Sequence, residues 1–288
     1  MKLLCLRRFV FLALLLPLLV QAGDYSKGLL WKVEKPGITP SYIFGTIHLE
    51  DARVTRLPIM VKNAFNQSRS FTMEILPSAQ DNQLASMAMV FTDGRNLKQV
   101  LGDSLFREVA AVAQKNGMSE QGIMMFKPWA VMMMLSFPPP KTGIFLDKKL
   151  LDMATQQGKS LHALETMEEQ LTVFEGASMD EQIHLLKETI NDYDTFAQEL
   201  EAMTQAYLQR DLAKLFAISN DRIKPGDVIA EKYMKRLADD RNQVMAERMQ
   251  KRLQEGNAFI AFGALHLGGN KGVLQLLEDK GYRISLVY

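Results

Sequence analysis

The sequence predicts an α/β (mixed α+β) domain over residues 23–288: a central mixed sheet flanked by helices, with a helical insertion around 166–256. Three observations point there. Strand-type and helix-type segments alternate toward both ends of the chain, the pattern of a sheet covered by helices. From Asp180 onward the apolar residues instead recur in steps of three and four, the period of amphipathic helices. An apolar strand running into Gly-x-x-His occurs twice, at 42–48 and at 260–266.

Leu29–Val33 and Ser41–His48 read as strands around the turn Glu34-Lys35-Pro36-Gly37. Arg56–Ser70 reads as a helix with Pro58 in its first turn, and Ser70–Leu76 as a third strand stopped by Pro77. Residues 81–135 read as helix in pieces, divided at Asp93-Gly94 and Gly117, and SFPPPKTG at 136–143 is the strongest breaker in the chain. Leu146–Gln157 is a short helix closed by Gly158, followed by a short strand at Ser160–Glu165. Thr166 caps the next helix, with Glu169 at the capping-box position. Asp180–Phe216 reads as an amphipathic helix with a second piece past Asp211. Ile223–Gly226 interrupts it, and Ile229–Glu255 is a more charged helix. Asn257–Leu265 is a strand, Gly268–Lys280 a loop and helix, and Tyr282–Val287 the last strand.

Hydrophobic residues make up 47% and charged residues 23% of the chain, which excludes a disordered chain and a polytopic membrane protein. Lys plus Arg number 34 against 33 for Asp plus Glu, so no basic stripe for nucleic acid is implied. Residues 1–22 read as a signal peptide. Lys2, Arg7 and Arg8 precede the uncharged run Phe9–Val20, and Val20-Gln21-Ala22 offers small residues for cleavage. The run is short of the ~20 residues that span a bilayer, so no stable membrane span is expected after cleavage; a retained anchor is the alternative. The expected location is therefore outside the cytoplasm, periplasmic in a Gram-negative source. The leader carries the sole cysteine, Cys5, which leaves histidine, carboxylate, serine or lysine for any chemistry.

Each Gly-x-x-His copy has three apolar residues, a glycine, and a histidine three positions on: His48 in the first, His266 in the second. A glycine at a strand end permits a sharp turn or close backbone approach. It leaves the histidine at the strand's carboxyl edge, where open αβ sheets bind ligands. Glu74 ends SFTME and Glu165 ends SLHALE, which puts carboxylates in reach of the same edge. Two imidazoles and one or two carboxylates are a donor set for a divalent metal with positions left for water, and a free carboxylate would serve as base. On spacing alone, the same residues read as two histidines satisfied within a sheet and two solvated glutamates.

The chain resembles the TraB/PrgY/GumN family, whose animal relatives are the Tiki metalloproteases. The residues carrying the resemblance are FGTIH at 44–48, MEI at 73–75, KPW at 127–129, the Asp147 region, ALETMEEQ at 163–170, DDRN at 239–242 and FGALHLGG at 262–269. The resemblance implies a mixed sheet with flanking helices, related to erythromycin-esterase-like and haem-binding ChaN-like proteins. It implies that His48 and His266 are the paired site histidines and Glu74 the site glutamate. Glu165 lies in the LET-like motif, Arg241 and Asn242 match a pair expected at the pocket rim, and all three are expected as substrate-binding residues. It implies manganese or cobalt as the metal, with zinc as a further candidate. In one departure, Ile144-Phe145-Leu146 separates Gly143 from Asp147, which leaves Asp147 without an assigned role.

Other signals carry less. His184 shares a helix face with Glu181 and Glu188, which reads as an exposed charged stripe, and His162 faces away from Glu165. The methionines at 124–125 and 132–134 read as pliable core before copper ligands. Gly268-Gly269-Asn270-Lys271-Gly272 lacks the spacing of a phosphate loop, and no Gly-x-Ser-x-Gly elbow exists. The expected function is an exported, metal-dependent, peptidase-like hydrolase acting on a peptide or other small acyl substrate, with His48, His266 and Glu74 at its centre. The rival is a non-catalytic envelope protein that binds a peptide signal or haem in the same pocket. A third is an inactive envelope scaffold.

Overall fold

Strands β1 (Leu30–Glu34), β2 (Ser41–Thr46), β3 (Ser70–Met73), β4 (Ser160–Ala163), β5 (Ala258–Gly263) and β6 (Arg283–Leu286) form one mixed sheet in the order β4-β3-β5-β2-β1-β6. The computed structural model describes residues 25–288, so the leader expected at 1–22 lies outside the described residues. β4, β3, β5 and β2 are parallel, which brings their carboxyl ends to one edge; β1 pairs antiparallel with both β2 and β6.

β5 is central because its sequence, AFIAFG, is apolar without alternation, as a strand covered on both faces must be. Phe259 packs against Phe44, Phe65 and Phe71 at ring separations of 5.2–6.4 Å, tying β5 to β2, β3 and the helix Ile59–Gln67. Each such ring contributes about 2–3 kcal/mol by leaving water. The edge strands β4 and β6 are four residues long and partly exposed, so they offer little template for further pairing.

The expected αβ architecture holds, with three differences in detail. The helix expected over 180–216 is divided into Met179–Asn191, Phe196–Leu208 and Leu212–Asp221. The first break falls where the Thr195 hydroxyl and amide both bond the Asp192 carbonyl, side-chain competition that ends a helix while the apolar period runs on. The charged helix expected over 229–255 is α-helical at Val228–Met234, π-helical at Lys235–Asp240, and α-helical again at Arg241–Arg248 and Gln250–Glu255. The helical part also draws on more chain than 166–256. Helices Leu97–Lys115 and Pro128–Leu135 pack with Met179–Asn191 around Phe106, Ile123 and Leu186, a second hydrophobic core apart from that of the sheet. Met132 is buried there, in keeping with a packing role for the methionines. The Thr166–Glu169 capping box forms as expected. Between Leu135 and Leu146 the chain is irregular, as its three successive prolines require.

Candidate functional site

The four parallel strands deliver His48, Glu74, Glu165 and His266 to the same edge, each one to three residues past its strand end. His266 lies in a 3-10 turn, Ala264–His266, rather than on β5 itself. That turn explains Gly45. A Cβ there would come within 2.5 Å of Leu267 Cδ1 and 3.0 Å of the Ala264 backbone, so only glycine lets the end of β2 lie against the turn after β5. Tyr207, from the helix Phe196–Leu208, donates its hydroxyl proton to the Gly45 carbonyl at 2.9 Å and fixes this corner from outside.

Glu74 sits at the middle of a charge network. Its Oε1 accepts the Gly263 N–H at 2.8 Å, and its Oε2 accepts from Arg241 Nη2 at 2.7 Å and Gln170 Nε2 at 3.2 Å. Arg241 grips Glu165 side-on through Nε at 2.9 Å and Nη2 at 2.6 Å. Gln170 also reaches Glu165, at 3.2 Å. The three charged side chains are only 12%, 14% and 3% exposed, for Arg241, Glu74 and Glu165 respectively. Burial alone would raise the Glu74 pKa. The positive charge of His266 when protonated, of Arg241 and of His48, with the Gly263 N–H, outweighs it and holds Glu74 at about 2.

The two histidines are prepared in the same way by different partners. His48 Nδ1 lies 2.5 Å from Asp147 Oδ2, and the Thr46 hydroxyl donates to Asp147 Oδ1 at 2.6 Å. His266 Nδ1 lies 2.7 Å from Asn242 Oδ1. The Asn242 amide donates to the Lys271 carbonyl at 2.9 Å, which orients Oδ1 toward the ring, so His266 carries its proton on Nδ1. Asp147 calls for the same proton position on His48. In both rings the bond to an outer partner is made through Nδ1, which leaves Nε2 as the nitrogen not engaged by that partner.

Their electrostatics diverge. His48 has 49% of its side chain exposed; removal from water works to lower its pKa, but the hydrogen bond and charge of Asp147 dominate and raise it to about 9. His266 is 7% exposed, and burial lowers it to about 4 against the opposing charge of Glu74.

The structure thus gathers His48, Glu74, Glu165 and His266, and it turns Arg241 and Asn242 inward. Arg241 and Asn242 were expected at the rim in contact with substrate, and here their polar atoms hold Glu74, Glu165 and His266. Asp147, Thr46 and Gln170 complete the set. The family resemblance took in the Asp147 region without giving Asp147 a role, and the structure places it in the first turn of the helix Leu146–Gln156. The other two histidines lie in other bonds. His162 Nε2 accepts from Arg252 at 3.0 Å. His184 meets Asp227 at 2.8 Å, while Glu181 and Glu188 pair with Lys232 and Lys224, so the stripe expected to be solvated is instead an ion-paired seam against residues 224–232.

The donor chemistry suits a divalent cation: two neutralisable imidazoles with free Nε2 atoms, and a carboxylate oxygen, Glu74 Oε1, with one lone pair unused. The spacing is wider than coordination needs, because among the described residues no three His, Cys, Asp or Glu side chains stand close enough to hold a metal.

The sequence profile of the TraB/PrgY/gumN family matches residues 29–286. Among characterised proteins, "Metalloprotease TIKI2" of Danio rerio is 24% identical over 89% of this chain and 60% of its own length. "Metalloprotease TIKI1" of Danio rerio is 24% identical over 89% of this chain and 62% of its own, and that of Homo sapiens 25% identical over 89% and 61%. The chain therefore spans about three fifths of the length of these relatives. No solved structure matches it.

Proposed function

The chain belongs to the TraB/PrgY/gumN family, and on that premise we propose that it is a metal-assisted hydrolase of peptide or related acyl bonds. The observation that carries this reading is the pair of oriented imidazoles on one sheet edge, each held through Nδ1 by an outer partner. His48 and His266 would hold a divalent cation through Nε2, with Glu74 as the third ligand, once the three side chains draw together from the wider spacing they have here. Manganese or cobalt is the first candidate and zinc the next. When bound, such an ion polarises a carbonyl and makes its water acidic enough to attack at neutral pH.

The protein's own groups prepare that chemistry. Asp147 and Asn242 fix the two rings in the tautomer that ligation requires. Arg241 and Gln170 hold the Glu74 carboxylate in place, and Glu165 holds Arg241. A carboxylate at about 2 is a weak proton acceptor, which favours Glu74 as ligand over Glu74 as base. Arg241, Asn242 and Glu165 act in this reading as positioning residues, since their polar atoms are engaged within the protein. No helix of the described residues is long and apolar enough to cross a membrane. Export through residues 1–22 is part of the proposal.

The test is hydrolysis of a fluorogenic peptide library by chelator-stripped protein. Activity should return on adding manganese, cobalt or zinc to the wild type and stay absent in His48→Ala and His266→Ala. Hydrolysis undiminished by chelator, or retained in both variants, would refute the assignment.

A further inference from the structure

The segment that follows the three prolines is tied twice to the stretch around His48. At one tie, Glu50, two residues past His48, accepts three consecutive backbone N–H groups. Its Oε2 takes those of Lys141 at 2.9 Å and Thr142 at 2.8 Å, and its Oε1 takes that of Gly143 at 2.8 Å. The Thr142 hydroxyl adds a fourth bond at 3.2 Å. At the other tie, Asp147 bonds Thr46 and His48. Ile144 and Phe145 are strung between the two ties. Both are large, apolar and open to solvent, 48% and 37% exposed, and the Phe145 ring stands edge-on to His48 at 5.6 Å.

Two large apolar side chains held side by side in solvent, one of them against the His48 ring, are a surface on which an apolar ligand group can sit. The backbone here has no helix or strand to hold it. A carboxylate that gathers three adjacent N–H groups is a strong substitute, because each bond is charge-assisted.

We propose that Ile144 and Phe145 form an apolar subsite beside His48 that selects substrates with an apolar side chain next to the bond acted on, and that Glu50 is the positioning residue that sets it. The reaction named rests on the hydrolase reading; the subsite itself does not. Its ligand class is an amide flanked by an aliphatic or aromatic side chain.

Two measurements test it, and neither needs catalysis. The first is limited trypsin digestion at Lys141, an exposed residue inside the clamp. Glu50→Ala frees four donors and should be cut at least about tenfold faster than wild type at 25 °C. Glu50→Gln keeps one acceptor oxygen but sets an NH2 against the Gly143 N–H, so it should fall between. Equal cutting of all three proteins, with melting temperatures matched, would overturn the clamp. The second is an NMR titration of the His48 imidazole signals with N-acetyl-leucinamide and N-acetyl-serinamide. The leucine compound should bind about tenfold more tightly. That preference should vanish in an Ile144→Ser/Phe145→Ser double variant, whose exposed substitutions leave folding intact. Equal binding of both amides, or a preference retained in the double variant, would overturn the subsite. If the preference holds while no peptide in the library is cleaved, the hydrolase reading fails and the subsite stands.

Discussion

The two Gly-x-x-His segments look alike in sequence and are built for opposite conditions. At the first, the imidazole is half in solvent and leans on a carboxylate, so it holds a proton up to about pH 9. At the second, the imidazole is buried against an amide and gives up its extra proton near pH 4. Their glycines differ as well. Gly45 admits the close approach of the turn after β5, whereas a Cβ at Gly263 would make only ordinary contacts of 3.5 Å with Glu74 and His266. What Gly263 contributes is its backbone N–H, which any residue but proline carries. A repeated motif therefore secures one geometry, an oriented ring at a strand end, while the partner behind each ring sets its charge. In the metal-free protein at neutral pH, one ring is a cation and the other a neutral donor.

The largest expected effect that would sharpen this difference is in the glycines. Gly45→Ala should lower stability by about 1–3 kcal/mol through overpacking, read as a shift of the denaturation midpoint. An unshifted midpoint would mean that the turn relaxes freely. Next come swaps of the ring partners. Asp147→Asn should bring the His48 pKa down by ~1–3 units, and Asn242→Asp should raise that of His266 by a similar amount, both read by NMR titration of the ring protons. If His48 still titrates near 9 in Asp147→Asn, Asp147 does not set its charge.

The same shifts give the metal-free protein two limbs in its stability against pH. His48 binds its proton more tightly folded than unfolded, so its contribution is complete below about 6.5 and is lost as pH rises through about 9. His266 binds its proton less tightly folded, so stability falls as pH drops from about 6.5 to about 4. Glu74 adds a further loss between about 4.5 and about 2. Melting temperature against pH should thus flatten on the alkaline side in His48→Gln and between about 6.5 and 4 in His266→Gln. Identical curves for the two variants would remove the distinction. The smallest effect belongs to Gly263→Ala, expected to cost under ~1 kcal/mol.

Much of this was legible in the chain itself, and the boundary is physical. The strands were readable because β5 is a continuous apolar run and β2 carries the apolar Tyr42-Ile43-Phe44. The places of His48, Glu74, Glu165 and His266 at strand ends were readable as local features, whereas their grouping into one site came from the family resemblance. The division of 180–216 was hidden because its apolar period runs straight through the Asp192–Thr195 turn. The π-helical stretch at Lys235–Asp240 has no local signature, yet it precedes the two residues that turn inward, Arg241 and Asn242. Irregular helical turns of this kind recur at functional sites. Asp147 was the clearest gap: it lies 99 positions from His48, and only the folded sheet edge brings the two together.

The central claim is that His48 and His266 act together on one divalent ion, and a metal titration of chelator-stripped protein tests it most directly. Melting temperature would be followed with manganese, cobalt and zinc for the wild type, His48→Ala and His266→Ala. A ligand at a hundred times its dissociation constant stabilises the folded state by about 2.7 kcal/mol, roughly 5–10 °C for a domain of this size. The account predicts that rise in the wild type and its loss in each single variant. The same rise in all three proteins, or in none, would contradict it.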